Sequence, residues 1–202
     1  MIRVIAITGV VLWLGQAPTR PGAALTPGLE LVYVNGADTQ PMWTIDAVSW
    51  DRSHEGRSGC SHIVLRMGAP AADVRWLCRS GDTLLFWTAR NNRWTAQRPL
   101  ATGVSVILSR PGGGRNTFEA GAAACDVVGD ARIATIATTV LTTDSTGRAV
   151  RRLRERYAPG LATATGGTFE VPDGDGWKVE REFKLVALLY PLGVAPPREC
   201  SS

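Results

Sequence analysis

The 202-residue sequence predicts a mainly β protein: a curled antiparallel meander sheet or half-barrel, with room for one or two short covering helices. Three observations predict it. Short runs rich in Val, Ile, Thr and aromatic residues recur, with turn residues between them at spacings of roughly 8–12 residues. Gly (22) and Pro (12) are frequent without forming a repeat. Hydrophobic residues make up 45% and charged residues 20%, which excludes a disordered or polytopic membrane protein.

The first 24 residues have the pattern of a secretory signal peptide. Arg3 supplies the positive start, residues 4–15 form an apolar stretch, and small residues at 22–24 give a cleavage site before Leu25. The apolar stretch is too short to span a bilayer. An uncleaved anchor is the alternative, because the segment between the apolar stretch and the cleavage site is long. We therefore expect export to the periplasm or the extracellular space.

Residues 25–193 are expected to form a single antiparallel β domain, followed by a C-terminal tail at 194–202. The polar segment 51–59 is expected to be a loop, and 122–128 fits strand or helix. Residues 147–157 also fit both, and the break at 158–160 favours a strand. The remaining strands are expected, in order, at 29–34, 42–50, 60–67, 73–79, 83–88, 93–98, 104–109, 117–119, 132–143, 161–171 and 177–190.

Four cysteines follow the signal, and in an oxidising compartment they allow three disulfide connectivities. A hairpin of 60–67 with 73–79, centred on Ala69, places Cys60 opposite Cys78 at disulfide distance. Closing that loop contributes about 3 kcal/mol in the chain-entropy model. Cys125 and Cys200 then pair by elimination, or remain free thiols.

The charge balance does not indicate a nucleic-acid partner. The net charge is +4, with 20 Arg and 2 Lys, but the signal segment carries two of the arginines and no acid, which leaves 20 basic against 18 acidic residues. As a strand, the densest cation run puts four arginines on one face: Arg148, Arg152, Arg154 and Arg156. They could meet anionic headgroups or an acidic partner; cross-strand pairing with Glu170, Glu180 and Glu182 is the interpretation we favour.

The sequence offers little for catalysis or metal binding. It lacks G-x-S-x-G and H-E-x-x-H motifs, and its two histidines are His54 and His62. Ser58, Cys60 and His62 are close in sequence, but a disulfide at Cys60 removes the thiol nucleophile. We therefore expect no catalytic residues, no metal and no cofactor.

Six tryptophans follow the signal segment. Large aromatic side chains either supply buried core area or line apolar ligand cavities, and in a curled sheet the two roles overlap. The candidate ligand-binding residues are Trp43, Trp76, Trp87 and Trp94.

Residues 154–161 (RERYAPGL), continuing through 168–170 (TFE), resemble the strand–Tyr-x-Pro–strand passages of the periplasmic lipoprotein-carrier (LolA/LolB-like) superfamily and of exported relatives. The resemblance implies an open, curled antiparallel sheet covered by helices, with an apolar cavity for acyl chains. It assigns no functional residues.

These observations favour an exported, non-enzymatic β protein that binds a lipid or another apolar small molecule in the concave face of its sheet. The alternative is a cell-envelope structural or interaction module with a filled core and no ligand. A third hypothesis, an exported hydrolase, needs a Ser or Cys beside His54 or His62. We expect a monomer that has no nucleic-acid partner and could make peripheral membrane or envelope-protein contacts.

Overall fold

The computed structural model describes residues 24–35, 38–66, 72–89 and 92–200, with the backbone alone described at 35 and 38–43. It is 72% strand and 2% helix, which confirms the mainly β prediction. The strands are β1 Glu30–Asn35, β2 Asp38–His54, β3 Arg57–Arg66, β4 Ala72–Ser80, β5 Thr83–Thr88, β6 Arg93–Pro99, β7 Ser105–Ser109, β8 Arg115–Val128, β9 Ala131–Thr143, β10 Ala149–Ala158, β11 Thr163–Asp173 and β12 Gly176–Leu189.

The strands form one antiparallel sheet in the order β6-β5-β4-β3-β2-β1-β12-β11-β10-β9-β8-β7. Hydrogen bonds between β1 and β12 join the two ends of the domain, so the edges of the sheet are β6 and β7, which follow one another in the chain. Side chains meet across this seam: Ala96 packs against the cluster of Val106 and Phe118, and the Arg98 guanidinium lies 4.8 Å from the Phe118 ring. The sheet is therefore curled and nearly closed, with a barrel-like interior.

Apolar side chains fill part of that interior. Leu29, Leu31, Ile63, Leu77 and Leu185 are almost completely buried in one continuous core. A 3-10 turn at Pro159–Leu161, between β10 and β11, adds Leu161 to this core. The described residues contain no covering helix, so the interior is closed by strands and this turn.

Two ambiguous segments are strands, and one expected loop is not a loop. Residues 147–157 largely form β10, and 122–128 is the end of the long strand β8, which has a register shift between Ala120 and Ala123. The prediction of a loop at 51–59 is wrong, because β2 continues to His54 and β3 begins at Arg57. The chain turns between these strands at Glu55 and Gly56, which both have positive φ. That geometry is the usual two-residue hairpin turn. Polar residues occur here because this hairpin end is exposed.

The predicted Cys60–Cys78 disulfide is present, and Cys125 and Cys200, for which the sequence left a disulfide or free thiols open, are bonded as well. In the β3–β4 ladder Ser61 pairs with Leu77, which is the register of a hairpin centred on residue 69, and Cys60 bonds Cys78 with a Cα–Cα distance of 4.4 Å. Cys125 bonds Cys200 with a Cα–Cα distance of 5.9 Å. Two such bonds are consistent with an oxidising, exported location.

The C-terminal segment is fixed to the sheet. The Arg132 amide donates to the Pro197 carbonyl and the Glu199 amide donates to the Arg132 carbonyl, each at 2.9 Å. The Glu199 carboxylate accepts from the Ala134 amide at 3.1 Å. With the disulfide to Cys200, these bonds hold the predicted tail against β9.

The predicted signal peptide, residues 1–24, lies outside the described part of the chain except for Ala24, and it stays a prediction. Ala24 packs in the core, and its amide donates to the Gly160 carbonyl at 3.1 Å. Within the described residues, no helix has the length and apolar character that crossing a membrane requires.

Candidate functional site

The core leaves a cavity of about 490 Å³ in the sheet interior. Its walls come from β1, β4, β5 and β6 on one side and from β10, β11 and β12 on the other. The volume falls within the roughly 300–1,000 Å³ typical of small-molecule sites. The cavity is partly open to solvent, so a ligand could enter without unfolding of the sheet.

Strand alternation decides which side chains face this cavity. On β10, Leu153, Glu155 and Tyr157 line it, whereas the intervening arginines point to the outer face. On β12, Arg181 and Phe183 line the cavity and Leu185 continues into the core. The same period of two therefore places apolar and charged groups together on the inner face.

Aromatic and aliphatic side chains form most of the wall. Phe169 and Phe183 lie with ring centroids 5.7 Å apart, and Phe183 is 6.3 Å from Tyr33. Phe86 and Leu153 line the cavity from the β5 and β10 sides. This apolar surface suits a hydrocarbon chain or another greasy group.

An ion pair crosses the interior between β6 and β10. The Arg98 Nη2 atom lies 3.2 Å from Glu155 Oε1, and the Arg98 guanidinium also lies 5.2 Å from the centroid of the Tyr157 ring. Glu155 is only 6% exposed. Burial raises the pKa of the Glu155 carboxyl, and the nearby Arg98 charge opposes part of that rise. The Arg98 guanidinium and the Glu155 carboxylate are close, but their geometry is not that of a hydrogen bond. Glu155 Oε1 therefore has no hydrogen bond among the described residues.

The two tyrosines of the cavity differ in their hydrogen bonding. The Tyr33 hydroxyl donates to the Ala164 carbonyl at 2.6 Å, and burial raises its pKa to about 12. Tyr157 is 2% exposed, burial raises its pKa, and its hydroxyl has no partner within the described residues. Buried hydroxyls without a partner are unusual, because they lose the hydrogen bonds they made to water.

Two further arginines line the cavity. Arg75 Nε donates to the Asp73 carboxylate at 2.9 Å, and the Arg75 charge lies near enough to lower the pKa values of Tyr33 and Tyr157, against the larger effect of burial. The Arg181 guanidinium stacks 4.4 Å from the Phe169 ring and makes no ion pair with any described carboxylate. The lining therefore contains three arginines and one carboxylate.

The tryptophans proposed from the sequence are not part of this wall. Arg75 and Leu77 on β4 face the interior, so Trp76 between them faces outward. On β5, Phe86 lines the cavity, so the next residue, Trp87, faces outward. Trp94 lies directly opposite Trp87 in the β5–β6 ladder and therefore faces outward too. The Trp43 side chain lies outside the described residues. The prediction that Trp76, Trp87 and Trp94 lie in the concave face is therefore wrong. A ligand-binding role for these tryptophans stays a prediction.

Instead, these tryptophans form an outer aromatic cluster: His54, His62, Trp76, Trp87 and Trp94. His54 stacks on Trp76 with ring centroids 4.2 Å apart and 5° between the planes. His54 also meets the other two tryptophans edge-on. Trp94 Nε1 donates to the Glu55 carbonyl at 3.2 Å, which fixes the end of the β2–β3 hairpin onto the cluster.

The histidines of the hydrolase hypothesis lie in this outer cluster. His62 contacts Trp76 with ring centroids 4.3 Å apart, and burial, together with nearby Arg52 and His54, lowers its pKa. Cys60 is held in its disulfide and offers no free thiol. Among the described residues, no three His, Cys, Asp or Glu side chains come together as a metal-binding group.

Cross-strand ion pairs take up the arginine run of β10. Arg152 and Arg154 both contact the Glu170 carboxylate, and Arg151 lies 3.5 Å from Glu180. The cross-strand interpretation is therefore confirmed for these carboxylates, while Arg156 pairs with Asp126 on β8.

The cavity residues that the sequence did not indicate are mainly charged or phenolic: Arg75, Arg98, Glu155, Tyr157 and Arg181. A usable signal was the alternation of Leu153, Glu155 and Tyr157, which places a carboxylate on the apolar face of a strand. Comparisons of the chain with family models, with curated proteins and with solved structures found no match.

Proposed function

We propose that this protein is an exported, non-enzymatic β protein that binds an apolar or lipidic ligand in the concave face of its sheet. The single observation that carries the proposal is the cavity of about 490 Å³ beside a well-packed core. Protein interiors are usually packed densely, so an unfilled, partly open space with an aromatic wall favours a binding site.

The placement of the histidines supports binding over acid–base chemistry. Both belong to the outer aromatic cluster and neither lines the cavity. The two disulfides support an oxidising compartment, and together with the predicted signal peptide they favour the periplasm or the extracellular space.

Titration of the delipidated protein with N-phenylnaphthylamine, a neutral apolar fluorophore, tests the proposal. We expect enhanced fluorescence with a micromolar Kd. Leu153→Trp should weaken binding at least tenfold because it fills the cavity, whereas the control Val186→Trp should not, because Val186 follows the inward Leu185 and is exposed. A folded wild-type protein that gives no enhancement contradicts the proposal.

A second candidate, a cell-envelope interaction module without a ligand, has one supporting observation. Leu189, Leu192 and Val194 expose apolar side chains at the end of β12 and just beyond it. Clustered exposed apolar residues favour contact with another surface. This candidate predicts no probe binding to the cavity and a loss of partner or membrane association in Leu192→Ser.

A further inference from the structure

We propose that the ligand is an anionic amphiphile bound with its apolar chain inward and its charged head at the mouth of the cavity. The head lies at Arg181 and Lys178, two cations on the inner face of β12, and the chain extends past Phe169 and Phe183 toward the core. The inference rests on the proposed function, because it concerns the ligand of the same cavity.

The exposure of the inward side chains indicates where the mouth lies. On β12 it rises from the buried Leu185 through the half-buried Phe183 to the exposed Arg181. On β10 it rises in the same direction, from the buried Tyr157 to the half-buried Leu153. Leu153 and Arg181 lie opposite the same residue of β11, so both strands reach the mouth at the same level of the sheet.

The Arg181 guanidinium is the cation of the cavity wall that is available to an anion. It lies over the Phe169 ring, 4.4 Å from the centroid, and forms no ion pair with a described carboxylate. A guanidinium group that stacks on an aromatic ring keeps the N–H donors in its own plane for hydrogen bonds. Arg181 can therefore bind a carboxylate or phosphate head while its stacked face continues the apolar wall.

A second cation lies on the same face of the sheet, one step nearer the solvent. Lys178 is opposite Val171, which is two residues from Phe169 on β11 and therefore shares its face. The adjacent Trp177 faces the other way, because its ring centroid lies 4.4 Å from the guanidinium carbon of the outward Arg152. Lys178 is exposed and forms no ion pair with a described carboxylate.

The other charged groups of the cavity and its mouth form ion pairs with one another: Arg98 with Glu155, Arg75 with Asp73, and Arg151 with Glu180. Among these groups, Arg181 and Lys178 are left without a countercharge. A head bound at the mouth stays in contact with water, so it avoids most of the cost of burying a charge. The chain gains free energy by leaving water for the wall of Phe169 and Phe183.

Displacement of N-phenylnaphthylamine from the full, disulfide-bonded protein tests the sign of the head. The competitors are dodecanoate and dodecanol, which have equal chain lengths and are used below the concentrations at which they aggregate. At neutral pH dodecanoate is ionised. We expect it to displace the probe at about three- to tenfold lower concentration than dodecanol, as suits contacts with one or two partly exposed cations.

Variants of the two cations test the position of the head. In the paired variant Arg181→Gln/Lys178→Gln, the preference for dodecanoate should fall below about twofold, while displacement by dodecanol stays as in the wild type. In Arg181→Glu, dodecanol should become the better competitor, because the new charge repels the head. The control Lys184→Gln removes an exposed cation next to the inward Phe183, on the outer face of the same strand, and should keep the wild-type preference.

The outcomes separate the two proposals. If N-phenylnaphthylamine does not bind the folded wild-type protein, the proposed function fails. If it binds but dodecanoate displaces it no better than dodecanol, the proposed function stands and the anionic head is wrong. If dodecanoate is preferred but the preference persists in the paired variant, or falls equally in Lys184→Gln, the head does not lie at Arg181 and Lys178 and the inference is overturned.

Discussion

Loss of the Arg98 charge should destabilise the protein in a strongly pH-dependent way. Arg98→Gln leaves Glu155 buried at 6% exposure without its cation. Removing one member of a buried ion pair costs about 3–5 kcal/mol. Both side chains of the pair are less than a third exposed, at 21% and 4%, so solvent screening removes little of this cost.

The pH dependence follows from the direction of the pKa shift. Burial raises the pKa of Glu155 in the folded state above its unfolded value, so the ionised carboxylate costs stability. The cost is absent below the unfolded pKa, about 4.3, and grows as pH rises toward the folded pKa. Without Arg98 the folded pKa is higher still, so Arg98→Gln should cost about 3–5 kcal/mol at neutral pH and much less near pH 4.

Part of the loss should not depend on pH. The Arg98 guanidinium lies over the rings of Phe118 and Tyr157, and each such contact is worth about 0.5–1 kcal/mol. Urea unfolding at both pH values, for wild type, both single variants and the double variant with Glu155→Gln, separates the two parts. The double variant should recover most of the loss at neutral pH. Equal losses at both pH values would refute the buried-pair interpretation.

Three further predictions concern the scaffold. Replacing both cysteines of the Cys125–Cys200 pair, 75 residues apart, should lower the free energy of unfolding by about 4 kcal/mol and raise hydrogen exchange in the C-terminal segment. Gly167→Ala should cost about 2 kcal/mol or more, since its Cβ would overlap the Arg154 carbonyl oxygen of β10. The control Gly176→Ala should cost less than about 1 kcal/mol, because its Cβ would meet nothing nearer than 3.7 Å; thermal unfolding compares the two variants. Trp94→Phe should cost about 1 kcal/mol by losing its hydrogen bond to the β2–β3 turn, and unchanged urea stability would contradict that role.

Local sequence signals were sufficient for the strands and one disulfide. Turn residues at spacings of roughly 8–12 residues indicate the meander, and the short β3–β4 connection determines which residue lies opposite Cys60. The 51–59 segment was mispredicted because an exposed hairpin carries the same polar residues as a loop. Its turn at Glu55 and Gly56 needs positive φ, which composition alone does not reveal.

The site was harder to predict because the sequence did not show which face of each strand points inward. On β5, Leu84 and Phe86 alternate with Leu85 and Trp87, so both faces are apolar and the period of two gives no direction. The sequence therefore predicts large aromatics on the concave face, whereas Trp76, Trp87 and Trp94 lie outside the cavity wall. The sequence does not indicate the contact between Arg98 and Glu155, because that contact depends on how far the sheet curls, which is a property of the whole fold.

A spin-labelled fatty acid, doxyl-stearate, gives the most direct measurement of where a ligand lies. In amide and indole NMR spectra of the wild-type protein, binding in the cavity predicts the strongest broadening at the Tyr157 and Phe183 amides. The indole signals of Trp76 and Trp94 on the outer face should broaden less. Broadening centred on those indoles, with Tyr157 and Phe183 unaffected, would contradict a ligand site inside the curled sheet.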